Sequence, residues 1–332
     1  MLVDHILARR TGLRLYGLTP PKRGQDPIRT REIADRQARR IRDLAPDGLI
    51  IYDIQDEAGR TGADRPFPFL PTLEPMDYAR DFLAGLPVPK ILYKCVANET
   101  RAGFESWLDA LNRPAAETGM RDACVLVGAP SSKGFPLDGA LTLPEAYGVL
   151  RARGAGPGAA PCCGGVAIAE RHARKGDEDE RLLAKHGSGC RFFISQTVYD
   201  ASATKSLLSD YALRFAREGL EPVPFLLSFS PCGSLKTMEF MKWLGISFPK
   251  WLENELRHSH DILARSIDLA ADVFADIAAF AATKGIPVGI NVESVSIRKE
   301  EIDASCELFG RLSDLSNPSN QISPGGGTGG GI

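Results

Sequence analysis

The chain has 332 residues, 43% of them hydrophobic, with 40 Lys and Arg against 42 Asp and Glu. This is the composition of a globular protein with a buried core, and it excludes disordered and fibrous classes. A formal charge of −2, with no block of one sign, leaves no electrostatic case for nucleic acid or a membrane surface as partner.

No run approaches the about 18 consecutive apolar residues of a bilayer span. Residues 1–10 lack the apolar core of a secretion signal, so the chain is expected in the cytoplasm. The seven cysteines, Cys95, Cys124, Cys162, Cys163, Cys190, Cys232 and Cys306, are scattered without CxxC pairs. They are read as mostly buried small apolar groups rather than a disulfide framework or a zinc site. His258 and His260 alternate on a helical stretch and so point to different faces, which argues against a metal pair.

In chain order, short β-rich apolar runs fall at 13–18, 48–54, 90–96, 122–128, 164–169, 191–198, 223–229 and 288–293. Helical patterns begin near Ile28, Leu73, Ala102, Leu143, Glu178, Ala203, Leu235 and Asp261, with a last one near Lys299. The stretch 248–285 has room for one extra helix. Thr72 is placed as the cap of the second helix. Gly85, Gly119, Gly154, Gly187, Gly219, Gly245 and Gly285 each follow a helical run, where a left-handed residue ends a helix.

Runs such as Leu49-Ile50-Ile51 and Val125-Leu126-Val127 are apolar on both faces, as in a parallel sheet covered by helices. Eight such β-then-α units predict a single-domain (β/α)8 barrel over residues 1–315, with an open doubly wound sheet as the rival. No GxGxxG follows the first strand and no GxxxxGK[ST] occurs. Residues 316–332 read as a flexible, Gly-rich tail.

A barrel places its chemistry at the carboxyl ends of the strands. Strand two ends in Asp53, Asp56 and Glu57, acids close enough to raise one another's pKa and leave one protonated, unless Arg60 and Arg65 neutralise them. Lys94 at the end of strand three is either a Schiff-base lysine or the ion-pair partner of Asp53 or Asp56. The loop 128–134 is either a phosphate cradle with Lys133 as counter-charge or a plain surface loop.

Two segments carry a resemblance. Gly165-Val-Ala-Ile-Ala-Glu-Arg-His172 and Arg191-Phe-Phe-Ile-Ser-Gln-Thr-Val-Tyr-Asp200 resemble the methylenetetrahydrofolate reductase family, with its Val-Ala-x-x-Pro-Glu-x-His and Ile-Thr-Gln-x-x-x-Asp segments. Pro20-Pro21, Val125-Leu-Val-Gly128, Ser230-Pro-Cys-Gly-Ser-Leu-Lys and Ile246-Ser-Phe-Pro-Lys-Trp251 follow in that family's order. The resemblance implies a (β/α)8 barrel that passes hydride from NADH or NADPH, through FAD, to methylenetetrahydrofolate, and a homo-oligomer. It implies that Gln196, Tyr199 and Thr237 meet the substrate, Gln196 at the pterin. It also implies that His172, Glu178, Lys185, Gly128 and Glu170 line the flavin; Lys185 has a solvated helix-end lysine as its rival reading.

The chain departs from that pattern where the family keeps its acids. Gly17 stands in place of the strand-one Glu that protonates the substrate ring, and Gly128-Ala129 in place of the strand-four Gly-Asp. Leu92 replaces a His, and Thr237 a Gln. Losing such a proton donor costs on the order of 100- to 10,000-fold in rate unless it is replaced. Asp53, Asp56 and Glu293 are the candidate replacements; strand eight adjoins strand one in a closed barrel. The sequence thus predicts hydride transfer to a folate-borne one-carbon unit. Its alternatives are a flavin-free lyase or transferase with a charged mouth (Lys94, Asp53, Asp56, Glu57, Glu293), and a folate- or partner-binding barrel without catalysis.

Overall fold

A computed structural model describes residues 2–56, 64–129, 138–153 and 160–317, with the side chains of 114–118 left out. Eight parallel strands close into a barrel in sequence order: β1 (Arg14–Leu18), β2 (Gly48–Ile51), β3 (Lys90–Cys95), β4 (Ala123–Val127), β5 (Cys162–Ala167), β6 (Cys190–Thr197), β7 (Phe225–Phe229) and β8 (Val288–Val292). β8 pairs with β1 to close the ring, with Leu15 opposite Asn291. The (β/α)8 architecture is the one expected, and the open sheet is excluded.

The helices are α1 (Leu2–Leu7), α2 (Pro27–Leu44), α3 (Pro75–Phe82), α4 (Arg101–Thr118), α5 (Leu143–Ala152), α6 (Ala169–Lys175), α7 (Glu178–Gly187), α8 (Ala201–Arg217), α9 (Leu235–Trp243), α10 (Lys250–His258), α11 (Ile262–Thr283) and α12 (Lys299–Ser316). Local chemistry fixes several starts. Asp26 accepts from the amides of Ile28 and Arg29 ahead of Pro27, and Thr142 and Glu145 form a reciprocal capping box on α5.

Three expectations are corrected. Glu74, not Thr72, caps α3 by accepting from the Asp77 amide, and Thr72 instead bridges Lys22 in an antiparallel pair. The helix expected near Glu178 starts there as α7, but the end of the preceding apolar run, read as strand to Ala169, is a further helix, α6, closed by Gly176 in the left-handed region. α12 continues to Ser316, which is buried, so any tail begins after it; 318–332 lie outside the described residues, as do Glu57, Arg60 and Lys133. Of the expected helix-ending glycines, Gly119, Gly219, Gly245 and Gly285 have positive φ. Gly85 and Gly187 do not, and Gly154 lies outside the described residues.

Two apolar shells hold the barrel. The larger lies between strands and helices. The inner one fills the barrel with Leu13, Leu15, Ile50, Ile91, Val125, Phe192, Ile194 and Leu226, and α1 plugs the amino end with Leu2, Val3 and Ile6. Phe192 reaches so far across that a Cβ on Gly164 would stand 2.4 Å from its ring, so only glycine fits there. Six of the seven cysteines are buried and free. Among the described residues no helix is long and apolar enough to cross a membrane.

Candidate active site at the carboxyl end of the barrel

Side chains alternate in and out along each strand, so the inner column of Leu226 continues to Ser228 and that of Ile50 to Tyr52. Asn291, fully buried on β8, donates through Nδ2 to the Tyr52 hydroxyl at 2.8 Å and to Ser228 Oγ at 2.9 Å. The Tyr52 ring leans on Tyr93, with centroids 4.9 Å apart. The pairing of β6 with β7 slips between Ile194 and Thr197. The Thr197 hydroxyl thereby reaches the mouth and donates to Glu293 Oε1 at 3.3 Å.

Glu293, two residues past Asn291, is the acid of this mouth. Loss of water around it pushes its carboxyl from 4.5 up to about 7, and the hydrogen bonds from Tyr52 and Thr197 offset that only in part. Near neutrality it therefore exchanges a proton readily. Burial and the facing Glu293 carboxylate hold the Tyr52 hydroxyl well above its usual pKa, so it stays a neutral donor.

The strand register explains where this acid stands. Arg14, Leu15 and Tyr16 lie opposite Ile290, Asn291 and Val292, so one further step sets Gly17 beside Glu293. A Cβ on Gly17 would sit 2.7 Å from Tyr52 Cε2, 3.0 Å from its hydroxyl and 3.2 Å from Asn291 Oδ1. Tyr52 thus fills the space a strand-one side chain would use, and the carboxyl comes from the neighbouring strand. Gly17→Ala is expected to push Tyr52 off Glu293 and to cost about 1–3 kcal/mol by overpacking. Chemical unfolding of the variant measures that loss; unchanged stability would mean the ring moves freely.

Across the mouth, Gln196 donates through Nε2 to the Leu244 carbonyl at 2.8 Å. A carbonyl only accepts, so the amide must present its NH2 there, and Oε1 is left buried without a partner. Asn291 Oδ1 is a second buried acceptor with no partner. Beside Gln196, Glu170 Oε1 accepts from the Ser247 amide, and Ser247 Oγ donates to Asp200. Burial, reinforced by the Asp200 charge, raises the Glu170 carboxyl.

Residues 64–74, between β2 and α3, form a strap at the carboxyl end of the barrel. It is stiffened by Pro66, Pro68 and Pro71. Arg23 N donates to the Pro71 carbonyl and Leu73 N to that of Pro21, which ties the strap to the loop after β1. Its far contacts land on α9, where Phe67 meets Phe240 edge-on at 5.2 Å. α9 follows β7, so the strap links the loop after β1 to the helix after β7.

The chain is 39% identical to an uncharacterized protein from Clostridium thermocellum that binds two copies of 5-methyl-5,6,7,8-tetrahydrofolic acid. The match covers 95% of this chain and 99% of that one, with a TM-score of 0.79. The chain belongs to the family of that protein. An F420-dependent secondary alcohol dehydrogenase (10% identity, 92% and 99% coverage, TM-score 0.53) shares the fold alone. So does the FMN-binding oxygenating component of 3,6-diketocamphane monooxygenase from Pseudomonas putida (9%, 92% and 97%, TM-score 0.53). No protein-family model and no curated protein matches the chain.

Against this geometry the sequence-predicted residues divide. Glu293, Gln196 and Glu170 stand at the mouth. Of the strand-two acids, the two among the described residues stand away from the Glu293 cluster: Asp53 turns outward, accepting from the Cys95 amide at 2.7 Å and from Gln55 at 2.6 Å, while Asp56 is exposed, 4.0 Å from Arg65. Lys94, one step from the inward Tyr93, points under the helices to Glu74 and Glu99, at 3.3 and 2.6 Å, and lies over the Trp107 ring. Its charge is held by those two acids, with Asp53 adding to them, and the raised pKa keeps it an ammonium, which disfavours a Schiff-base role.

Tyr199 donates to the Ser230 carbonyl at 2.6 Å and stacks on Phe248. Thr237, buried at the start of α9, donates to Glu301. Both hydroxyls are engaged in holding loops together rather than offered to a ligand.

Of the residues the resemblance gave to the flavin, His172, Glu178, Lys185 and Gly128 are bonded within the protein. His172 is buried between helices, with Nε2 3.0 Å from Asp210. Glu178, with no exposure, grips Arg171 and the Ile168 amide. Lys185 donates to the Val166 carbonyl, and burial lowers its ammonium pKa. Gly128 accepts from Cys95 Sγ. Tyr52, Asn291, Ser228 and Thr197 complete the mouth; Asn291 and Ser228 belong to the polar residues at the strand ends, while Tyr52 and Thr197 carry no motif. The signal for them was their place at or just beyond the carboxyl end of an apolar run.

Proposed function

We propose that the mouth of the barrel binds a reduced folate and that Glu293 is the acid that meets its pterin ring. The observation that carries this reading is a carboxyl whose burial raises it toward neutrality, in one mouth with two buried acceptors without partners, Asn291 Oδ1 two residues before it and Gln196 Oε1 across from it. A tetrahydropterin edge is rich in N–H donors, and buried acceptors left without one are costly. The 5-methyltetrahydrofolate bound by the Clostridium thermocellum relative is a molecule of this chemistry.

The reaction we assign is reduction of a folate-borne methylene group. Glu293 gives its proton to the bridging ring nitrogen, the carbon–nitrogen bond breaks toward that nitrogen, and the methylene carbon is left as an iminium. Hydride from NADH or NADPH, entering as a substrate, adds to that carbon and yields the methyl group and the oxidised nicotinamide. Tyr52 and Thr197 hold the Glu293 carboxyl in place, and Gln196 and Asn291 orient the ring.

FAD has less support than folate: His172, Glu178 and Lys185 are bonded within the protein, and no carboxylate follows β4 at Gly128-Ala129. No step is routed through it. The test is oxidation of NADH and NADPH by the purified chain with methylenetetrahydrofolate and no added flavin, followed by absorbance. Turnover that requires the folate is expected. Folate binding without turnover would overturn the hydride step and leave a folate-binding barrel, and absence of folate binding would overturn the reading.

A further inference from the structure

Asn291 links two neighbouring strand ends through one NH2 group. One of its hydrogens goes to Ser228 Oγ at 2.9 Å and the other to the Tyr52 hydroxyl at 2.8 Å. Asn291 and Ser228 are both buried, and Ser228 is pinned in turn, its amide donating to Ser195 Oγ at 2.8 Å. The hydrogens of an NH2 group lie in the amide plane, so holding both of them fixes that plane.

The same bonds decide where the Tyr52 proton points. A phenol oxygen that receives a hydrogen from Asn291 has its single proton left to give, and Tyr52 bonds to Glu293. The opposite arrangement, with Tyr52 donating to the Asn291 carbonyl, would leave a carboxylate, the stronger acceptor, unserved. Thr197 donates to the same carboxyl at 3.3 Å. Two hydroxyls thus meet Glu293 as donors, and its own proton is left for the ligand.

We infer that Ser228 and Asn291 are positioning residues which, through Tyr52, aim the Glu293 proton at the ligand. Without Asn291 the Tyr52 oxygen is free to accept from the protonated carboxyl, and the proton stays within the protein. With it, the carboxylate left by proton transfer is met by hydroxyls already in place. The inference rests on the acid role proposed for Glu293 and adds what directs its proton. The Tyr52 and Thr197 hydroxyls favour the ionised carboxyl against burial, and Tyr93 bears on it from β3. Burial and that carboxylate hold both tyrosine hydroxyls well above their usual pKa, so neither ionises near neutrality.

The test is the pH dependence of NADH or NADPH oxidation with methylenetetrahydrofolate in Tyr52→Phe, Ser228→Ala and the double variant. Beside it, infrared titration follows the Glu293 carboxyl, whose band is identified by its loss in Glu293→Gln. Tyr52→Phe keeps the ring that fills the space beside Gly17 and removes the hydroxyl alone. It is expected to lower kcat by about tenfold to a hundredfold, the worth of a hydrogen bond to a charged group. It should also move the descending limb of the rate profile and the carboxyl titration to higher pH. Ser228→Ala is expected to move both the same way by less. The double variant should match Tyr52→Phe within about twofold, because Ser228 acts through Tyr52.

An unmoved carboxyl titration in Tyr52→Phe would overturn the inference. Effects of the two substitutions that multiply in the double variant would overturn it as well. Absence of turnover in the wild type would instead remove the reduction on which the inference rests, and the infrared titration, which needs no substrate, would still decide the relay.

Discussion

Glu293→Gln is expected to lower turnover of methylenetetrahydrofolate by on the order of 100- to 10,000-fold, the usual cost of removing a general acid. The amide is nearly the same size and still accepts from Tyr52 and Thr197, so folate affinity should stay within a few-fold. It cannot release a proton to a ring nitrogen. The wild-type pH profile should show the same group. The protonated carboxyl is the active form and its pKa is about 7, so activity is held below that value and lost as pH rises through it.

Stability follows the same sign. The folded chain keeps a proton that the unfolded chain releases near 4.5, so this site favours folding at low pH, and the advantage is lost as pH rises from 4.5 through about 7. Glu293→Gln removes that slope. Steady-state rates and denaturant midpoints across this range measure both effects. A variant that turns over like the wild type would take Glu293 out of the chemistry.

Glu178→Ala is expected to destabilise the protein by about 3 kcal/mol or more, because it strips a buried ion pair of one partner. Glu178 has no exposed surface, clasps the Arg171 guanidinium with both oxygens and also accepts from the Ile168 amide at 3.2 Å. Without it, α6 and α7 lose the tie that fixes the turn after β5. Thermal unfolding should fall by several degrees, and the folded fraction should still bind folate. A stable Glu178→Ala protein with a specific loss of flavin binding would restore the cofactor role that the resemblance suggests and the geometry does not favour.

The barrel was legible because eight apolar runs separated by helical patterns leave few other ways to cover a parallel sheet on both faces. That same coverage hides the site. A strand apolar on both sides carries no alternation, so nothing in Tyr93-Lys94 or Tyr52-Asp53 says which residue enters the barrel. The structure places the two tyrosines inside and Lys94 and Asp53 outside.

The move of the acid from strand one to strand eight could be read from barrel closure alone, which puts Glu293 among the candidates. Choosing it required seeing Tyr52 fill the space at Gly17. The roles of His172, Glu178 and Lys185 depend on partners 38, 7 and 19 residues away in sequence, which no local pattern reveals. α1, with six residues, is too short to announce itself by period.

The central claim is that a reduced folate sits at the carboxyl end of the barrel with its ring against Glu293. A crystal structure of the protein grown with 5-methyltetrahydrofolate tests it most directly. The account predicts ring N–H groups at Gln196 Oε1 and Asn291 Oδ1, and the Glu293 carboxyl within hydrogen-bond reach of a ring nitrogen. A ring bound away from the mouth, for instance in the 320 Å³ hollow lined by Ile6, Arg9, His186 and Arg191 near α1, with Glu293 untouched, would contradict it.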